Sequence, residues 1–187
     1  MLPSFTVHKK LFSFTSIWYN SLKIGFKHIV RGRSNTMIIR NYEKKDWKRL
    51  NEIHDEARKI ELNNAGIPDA YLSLEETYEN EDLFDYELLV AEDKTDLVVG
   101  FVAFYEEEIA WLYVDPKYHR KGIATKLLSE SIEKAGNHIF IEVLENNIEA
   151  INLYKKMGFT VVEKKTGKMV GNESFEVTGY ILEYKKQ

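Results

Sequence analysis

The sequence predicts an α/β (α+β) domain, a mixed and mostly antiparallel central sheet of six or seven strands flanked by helices. Two observations carry this. Three apolar segments follow one another between residues 86 and 114 with only short turns between them, so an antiparallel meander is the economical arrangement. From residue 108 to 165 strand-like and helix-like segments alternate, and a further alternating segment at 173–184 closes the chain.

The elements read in order as follows. Residues 37–42 are Ile-rich and suit a first strand. Residues 44–62 place Trp47, Leu50, Ile53, Ala57 and Ile60 at helical spacing, with charges between them and His54 beside the stripe as a partly buried structural histidine. Gly66 and Pro68 break this helix, and Ser73 with Glu76 three residues later forms a capping-box pattern for a short second helix. Strands are expected at 86–92, 97–105 and 108–114, the last stopped by Asp115-Pro116. A helix from about 122 to 134 carries Ile123, Leu127, Leu128, Ile132 and Ala135 on one side. A strand at 138–144, a helix at 148–157 stopped by Gly158, and strands at 159–165 and 173–184 complete the chain.

Composition narrows the function. The chain has 187 residues, 44% apolar and 30% charged, which is ordinary for a soluble globular protein. It has no cysteine, which excludes disulfides, thiolate metal sites and cysteine nucleophiles. The five histidines show no paired ligand spacing, so no metal is expected. Residues 1–36 hold six Lys/Arg and no acid, leaving 20 basic against 30 acidic residues in 37–187. An acidic body repels nucleic acid and suits a cationic acceptor. The basic 1–36 segment is an extension upstream of a natural start at Met37, a transit peptide, or an anchor on an anionic membrane. No apolar run reaches the ~18–20 residues of a membrane span, and the expected location is cytoplasmic.

Two stretches carry chemistry. In Val114-Asp115-Pro116-Lys117-Tyr118-His119-Arg120-Lys121-Gly122-Ile123-Ala124 a strand ends and a helix begins at a glycine. The first amides of a helix lack intrahelical acceptors, so a basic, small-residue helix start can hold a pyrophosphate; it can also be a solvated turn. The second stretch is Phe140-Ile141-Glu142-Val143-Leu144-Glu145-Asn146-Asn147, followed by Ala150, Leu153, Tyr154, Gly158 and Phe159. Glu142 interrupts an apolar strand, where a carboxylate is costly unless it is used or paired. Asn147 reads as a helix cap or as a bond to a cofactor amide.

Together the stretches resemble the GNAT superfamily of N-acetyltransferases. Its fingerprint, Gln/Arg-x-x-Gly-x-Gly/Ala and then Asn-x-x-Ala-x-x-Leu-Tyr-x-x-x-Gly-Phe, is met with His119 as the one departure, and the likeness covers residues 37–187. The resemblance implies acetyl-CoA as acyl donor and direct attack by a primary amine. It implies that two strands splay apart around the pantetheine arm, whose amides pair with the main chain of Leu112, Tyr113 and Val114. It places the pyrophosphate on the amides of Arg120, Lys121, Gly122, Ile123, Ala124 and Thr125, with His119, Asn147 and Tyr154 also at the cofactor. Tyr154 matches the family's usual general acid. Glu142 is the first candidate for the base and Glu108 the second, Glu108 being otherwise part of a solvated acidic turn. The acceptor, a small-molecule or peptide amine, is expected to meet the 60–85 region and the 165–180 hairpin. A homodimer of such domains is a further expectation. Two rival readings are an acyl-CoA sensor of the same fold without turnover, and a membrane-associated protein acting through its basic N-terminal segment.

Overall fold

The computed structural model describes residues 37–186, so the three readings of the 1–36 segment lie outside the described residues. The described chain runs β1 (Ile38–Asn41), α1 (Trp47–Asn64), α2 (Leu74–Thr77), β2 (Glu87–Glu92), β3 (Val98–Tyr105), β4 (Glu108–Val114), α3 (Ile123–Lys134), β5 (His138–Leu144), α4 (Ile148–Lys156), β6 (Thr160–Met169) and β7 (Asn172–Lys185). Seven strands form one sheet in the order β1-β2-β3-β4-β5-β7-β6. Every neighbouring pair is antiparallel except β4 and β5, which are parallel.

Alternation along the strands builds a core on each face. Leu89, Val102 and Ile141 point to the face covered by α3 and α4, where they meet Leu127, Leu128 and Ile151. Val90, Phe101 and Trp111 point to the other face, under Leu50 and Ile53 of α1. A third cluster joins Leu62 at the end of α1 to Met169 and Val177 of the β6–β7 hairpin.

The apolar stripe of α1 differs from the expected one in a single position. Ile60 is 46% exposed, while Leu62 and His54 are buried. The buried face drifts because 3.6 residues per turn carries it from Leu50 and Ile53 to Leu62 rather than Ile60. The expected capping box is present: the Ser73 N–H donates to Glu76 Oε2 at 2.8 Å and the Ser73 hydroxyl at 2.7 Å. Among the described residues no helix is long and apolar enough to cross a membrane.

Candidate active site

The parallel strands β4 and β5 pair at two positions only, Glu108 with Phe140 and Ile109 with Ile141. Beyond Ile109 they part. β4 stays paired to β3 on its other side through Val114, and β5 stays paired to β7 through Leu144. The edge of β4 at Leu112, Tyr113 and Val114 therefore faces a gap with main-chain groups unpaired to β5, as a ligand with amides of its own requires. The pairing of β3 with β4 shifts register between Ala103 and Phe104, opposite residues 109–111, a bulge at the point where the gap opens.

The gap leads to a cavity of about 1010 Å³. At one end stands the turn between β4 and α3. Asp115 fixes it by accepting from the Lys117 N–H at 2.8 Å and by pairing with Arg49 of α1. Arg120 and Gly122 are left-handed, at φ 63° and 77°. No side chain caps α3, and the first intrahelical bond to Gly122 is the one from the Lys126 N–H. The amides of Ile123, Ala124 and Thr125 are thus left to the mouth of the cavity, and a Cβ built on Gly122 meets nothing within 4 Å. This is a cradle an anion can enter.

The expected basic groups of this turn are partly engaged elsewhere. The Nε2 of His119 lies 3.2 Å from the Val114 carbonyl, Lys121 sits 4.3 Å over the Tyr118 ring, and Arg120 is 4.0 Å from Glu149 of α4. Asn147 caps α4: its Oδ1 accepts from the Ala150 N–H at 3.2 Å and its Nδ2 donates to Glu61 at 2.9 Å. One bond on each end of the amide is used within the protein, and a second N–H and a second lone pair remain toward the cavity it lines.

Tyr154 is 6% exposed and lines the cavity. Burial pushes its phenol above the ordinary value, and Glu61 and Tyr113 add to the rise. It therefore remains an O–H donor through neutral pH. Glu142 and Glu108 line the same cavity. By the β4–β5 register both lie on the α1 face of the sheet, at diagonal positions on adjacent strands. Glu108 opens β4 and accepts from the Tyr86 hydroxyl at 2.8 Å, so it is a half-buried wall residue where a solvated turn was expected.

On the opposite wall, His54, read from the sequence as a partly buried structural histidine, lines the cavity, and with it Arg58 and Glu61 of α1 at helical spacing and Glu81, none of the three singled out by sequence reasoning. Arg58 donates to Glu61 at 2.6 Å and to the Met169 sulfur at 3.8 Å. The signal in the sequence was a second, polar stripe on α1 beside the apolar one. Read as an amphipathic helix, that stripe is assigned to solvent. Ala70, Met169 and Asn172 also line the cavity, so the 60–85 region and the β6–β7 hairpin meet there.

A model of the Acetyltransferase (GNAT) family matches residues 47–159. An L-methionine sulfoximine/L-methionine sulfone acetyltransferase of Salmonella typhimurium is 32% identical over 67% of this chain and 81% of its own length. An uncharacterized N-acetyltransferase of Escherichia coli, YafP, is 28% identical over 82% of this chain and 99% of its own. Among solved structures, yncA of Salmonella typhimurium, a putative acetyltransferase with its cofactor acetyl-CoA, superposes with a TM-score of 0.61 at 23% identity, covering 81% of this chain and 94% of that one.

Proposed function

The chain belongs to the GNAT family of acetyltransferases, and from that premise we propose how its own residues divide the transfer of an acetyl group to a primary amine. It is an N-acetyltransferase that takes its acetyl group from acetyl-CoA. The observation that carries the site assignment is the parting of β4 from β5 at a helix start whose first amides are uncapped. The β4 edge at Leu112 to Val114 holds the pantetheine amides, and the amides from Arg120 to Thr125 hold the pyrophosphate.

The protein then supplies proximity and proton traffic. An amine of pKa about 10 arrives as ammonium. Glu142 and Glu108, with Glu61 and Glu81 opposite, face it with more negative charge than Arg58 offsets. Glu142 is the first carboxylate to receive it at the gap. Tyr154 gives its proton to the leaving sulfur. The side of the cavity made by α1, the segment after α2 and the β6–β7 hairpin receives the rest of the acceptor, whether a small molecule or a peptide amine.

The test is CoA release from acetyl-CoA with a panel of amines that includes amino acids, polyamines and peptides. Turnover with at least one amine is expected. Tight binding of acetyl-CoA with no turnover on any amine would instead leave a sensor of the same fold.

A further inference from the structure

One ionisable group in the cavity wall is enclosed on every side but one. His54 of α1 is 3% exposed, and its ring lines the cavity. It packs edge-on to Tyr113 at 4.8 Å and tilted on Trp111 at 5.7 Å between centroids. Its Nδ1 lies 2.9 Å from Asp55 Oδ1. Asp55 is held in turn by the Leu74 N–H at 2.9 Å. Burial pushes the Asp55 carboxyl up, but these bonds outweigh it and keep the group below the usual range, hence ionised. A carboxylate only accepts, so Nδ1 carries the imidazole proton and Nε2 the lone pair. Nε2 has no protein partner, yet among the described residues no buried side-chain nitrogen or oxygen lacks one. It therefore meets solvent, and the cavity is where the ring does so.

We propose that His54, oriented by Asp55, is the base that takes the proton of the acceptor's ammonium group across the cavity. The proposal rests on the acetyl-transfer reading above. The nitrogen sheds two protons as it becomes an amide. The first passes to His54 Nε2 and on to solvent, freeing the lone pair that forms the C–N bond. The second restores the phenol of Tyr154 after its proton has gone to sulfur as the C–S bond breaks. Glu142 and Glu108 hold the ammonium as counter-charges, and the imidazole lone pair aimed into the cavity takes its proton.

The charged and titratable groups around His54 are Asp55, Arg58 and Glu61 on its own helix and Tyr113 on β4, with Tyr71 behind Asp55. Burial draws the imidazole below its ordinary 6.5 and Arg58 lowers it further, while Asp55 and Glu61 oppose the fall. The base is thus free at neutral pH, and its limb in the rate profile falls on the acid side of 6.5.

The experiment compares wild type, His54→Gln and Asp55→Asn with an amine that the wild type acetylates. For His54→Gln, kcat is expected to drop ~10²-fold, the scale of general base catalysis. Acetyl-CoA binding by calorimetry should be unchanged, the acidic limb should vanish, and added imidazole should restore part of the rate. Asp55→Asn should lower kcat with a preserved melting transition. Nitrogen-15 NMR of the wild type should show the Nδ1–H tautomer titrating below 6.5; if His54→Gln fails to fold, this spectrum and Asp55→Asn decide. Undiminished kcat with an unchanged acidic limb in His54→Gln, or an Nε2–H tautomer, would overturn the role of His54 alone. A wild type that acetylates no amine would take down the acetyl-transfer reading with it.

Discussion

Gly122 stands where a side chain meets both a backbone cost and a ligand. At φ 77° any L-residue is strained, by about 1–2 kcal/mol, and the space beyond its Cα is open. Gly122→Ala adds the strain alone, whereas Gly122→Glu also sets a carboxylate before the uncapped amides of α3. Calorimetry is expected to show a small loss of acetyl-CoA affinity for alanine and at least a tenfold loss for glutamate; equal losses would mean that no anion binds there. Tyr154→Phe keeps the ring in its packing and removes the hydroxyl. Turnover should fall ~10²-fold with acetyl-CoA binding unchanged, since the lost group acts in the transition state. Near-wild-type turnover under chemistry-limited conditions would return Tyr154 to a packing role. Glu142→Gln should raise KM for the amine, because the ammonium loses the charge that receives it; an unchanged KM sinks that role. The motif residues were legible because their types and spacings are unusual together. Arg58 and Glu61 were not, because a charged residue on an amphipathic helix carries no mark that separates a cavity wall from solvent. Asn147 was legible as a cap, while its bond to Glu61 spans 86 residues and needed the fold.

At the scale of elements, local pattern located nearly every helix and strand, and the exceptions have physical causes. The closing hairpin runs to Met169 and resumes at Asn172, longer than the alternating residues suggest, because β7 continues the ladder beside both β5 and β6. Contacts between elements were beyond periodicity altogether. Arg40 of β1 donates to Asp46 before α1 at 2.7 and 2.9 Å and to Glu92 of β2 at 2.6 Å, with all three side chains nearly buried. Burial pushes the Asp46 carboxyl up, but the Arg40 and Glu43 bonds hold it below its ordinary 3.8. Its folded pKa is therefore depressed, and its contribution is present above the unfolded value and lost as pH falls through the folded one. Arg40→Met leaves two buried carboxylates without their cation. Unfolding by urea at pH 7 should show a loss of ~3–5 kcal/mol. The deficit should narrow toward pH 4 as the stranded Asp46 carboxylate protonates; a loss that is the same at both values would make packing, and not charge, its cause.

For the whole molecule, the decisive feature is that one sheet holds two halves joined at two residue pairs. The meander β1–β4 and the β5–β7–β6 group meet only at Glu108–Phe140 and Ile109–Ile141. Strand order and the parallel sense of this junction could not be read from alternation, which sets faces and not neighbours; it was the family resemblance that implied a splay. Beyond that junction the halves are held by side-chain packing, with α3 and α4 closing one face and the end of α1 gripping the hairpin on the other. Polar bonds such as Asn147 to Glu61 and the Gly136 N–H to the Glu106 carbonyl add to it. The cavity lies along that seam, so the two halves must keep their relation for both substrates to meet. Met37 itself packs against the first core cluster, and we propose that the folded domain begins there. On that proposal a chain beginning at Met37 should melt within the roughly 2–4 °C that 1 kcal/mol moves a domain of this size. Its turnover should match that of the full chain. Flotation with anionic vesicles separates the remaining role of the basic segment. Binding by the full chain and not by the Met37 chain would make residues 1–36 a surface anchor, since six cations with no acid among them are drawn to such a surface. Negligible binding by both would remove the anchor, and a drop in melting temperature beyond that range would show that the segment belongs to the folded domain.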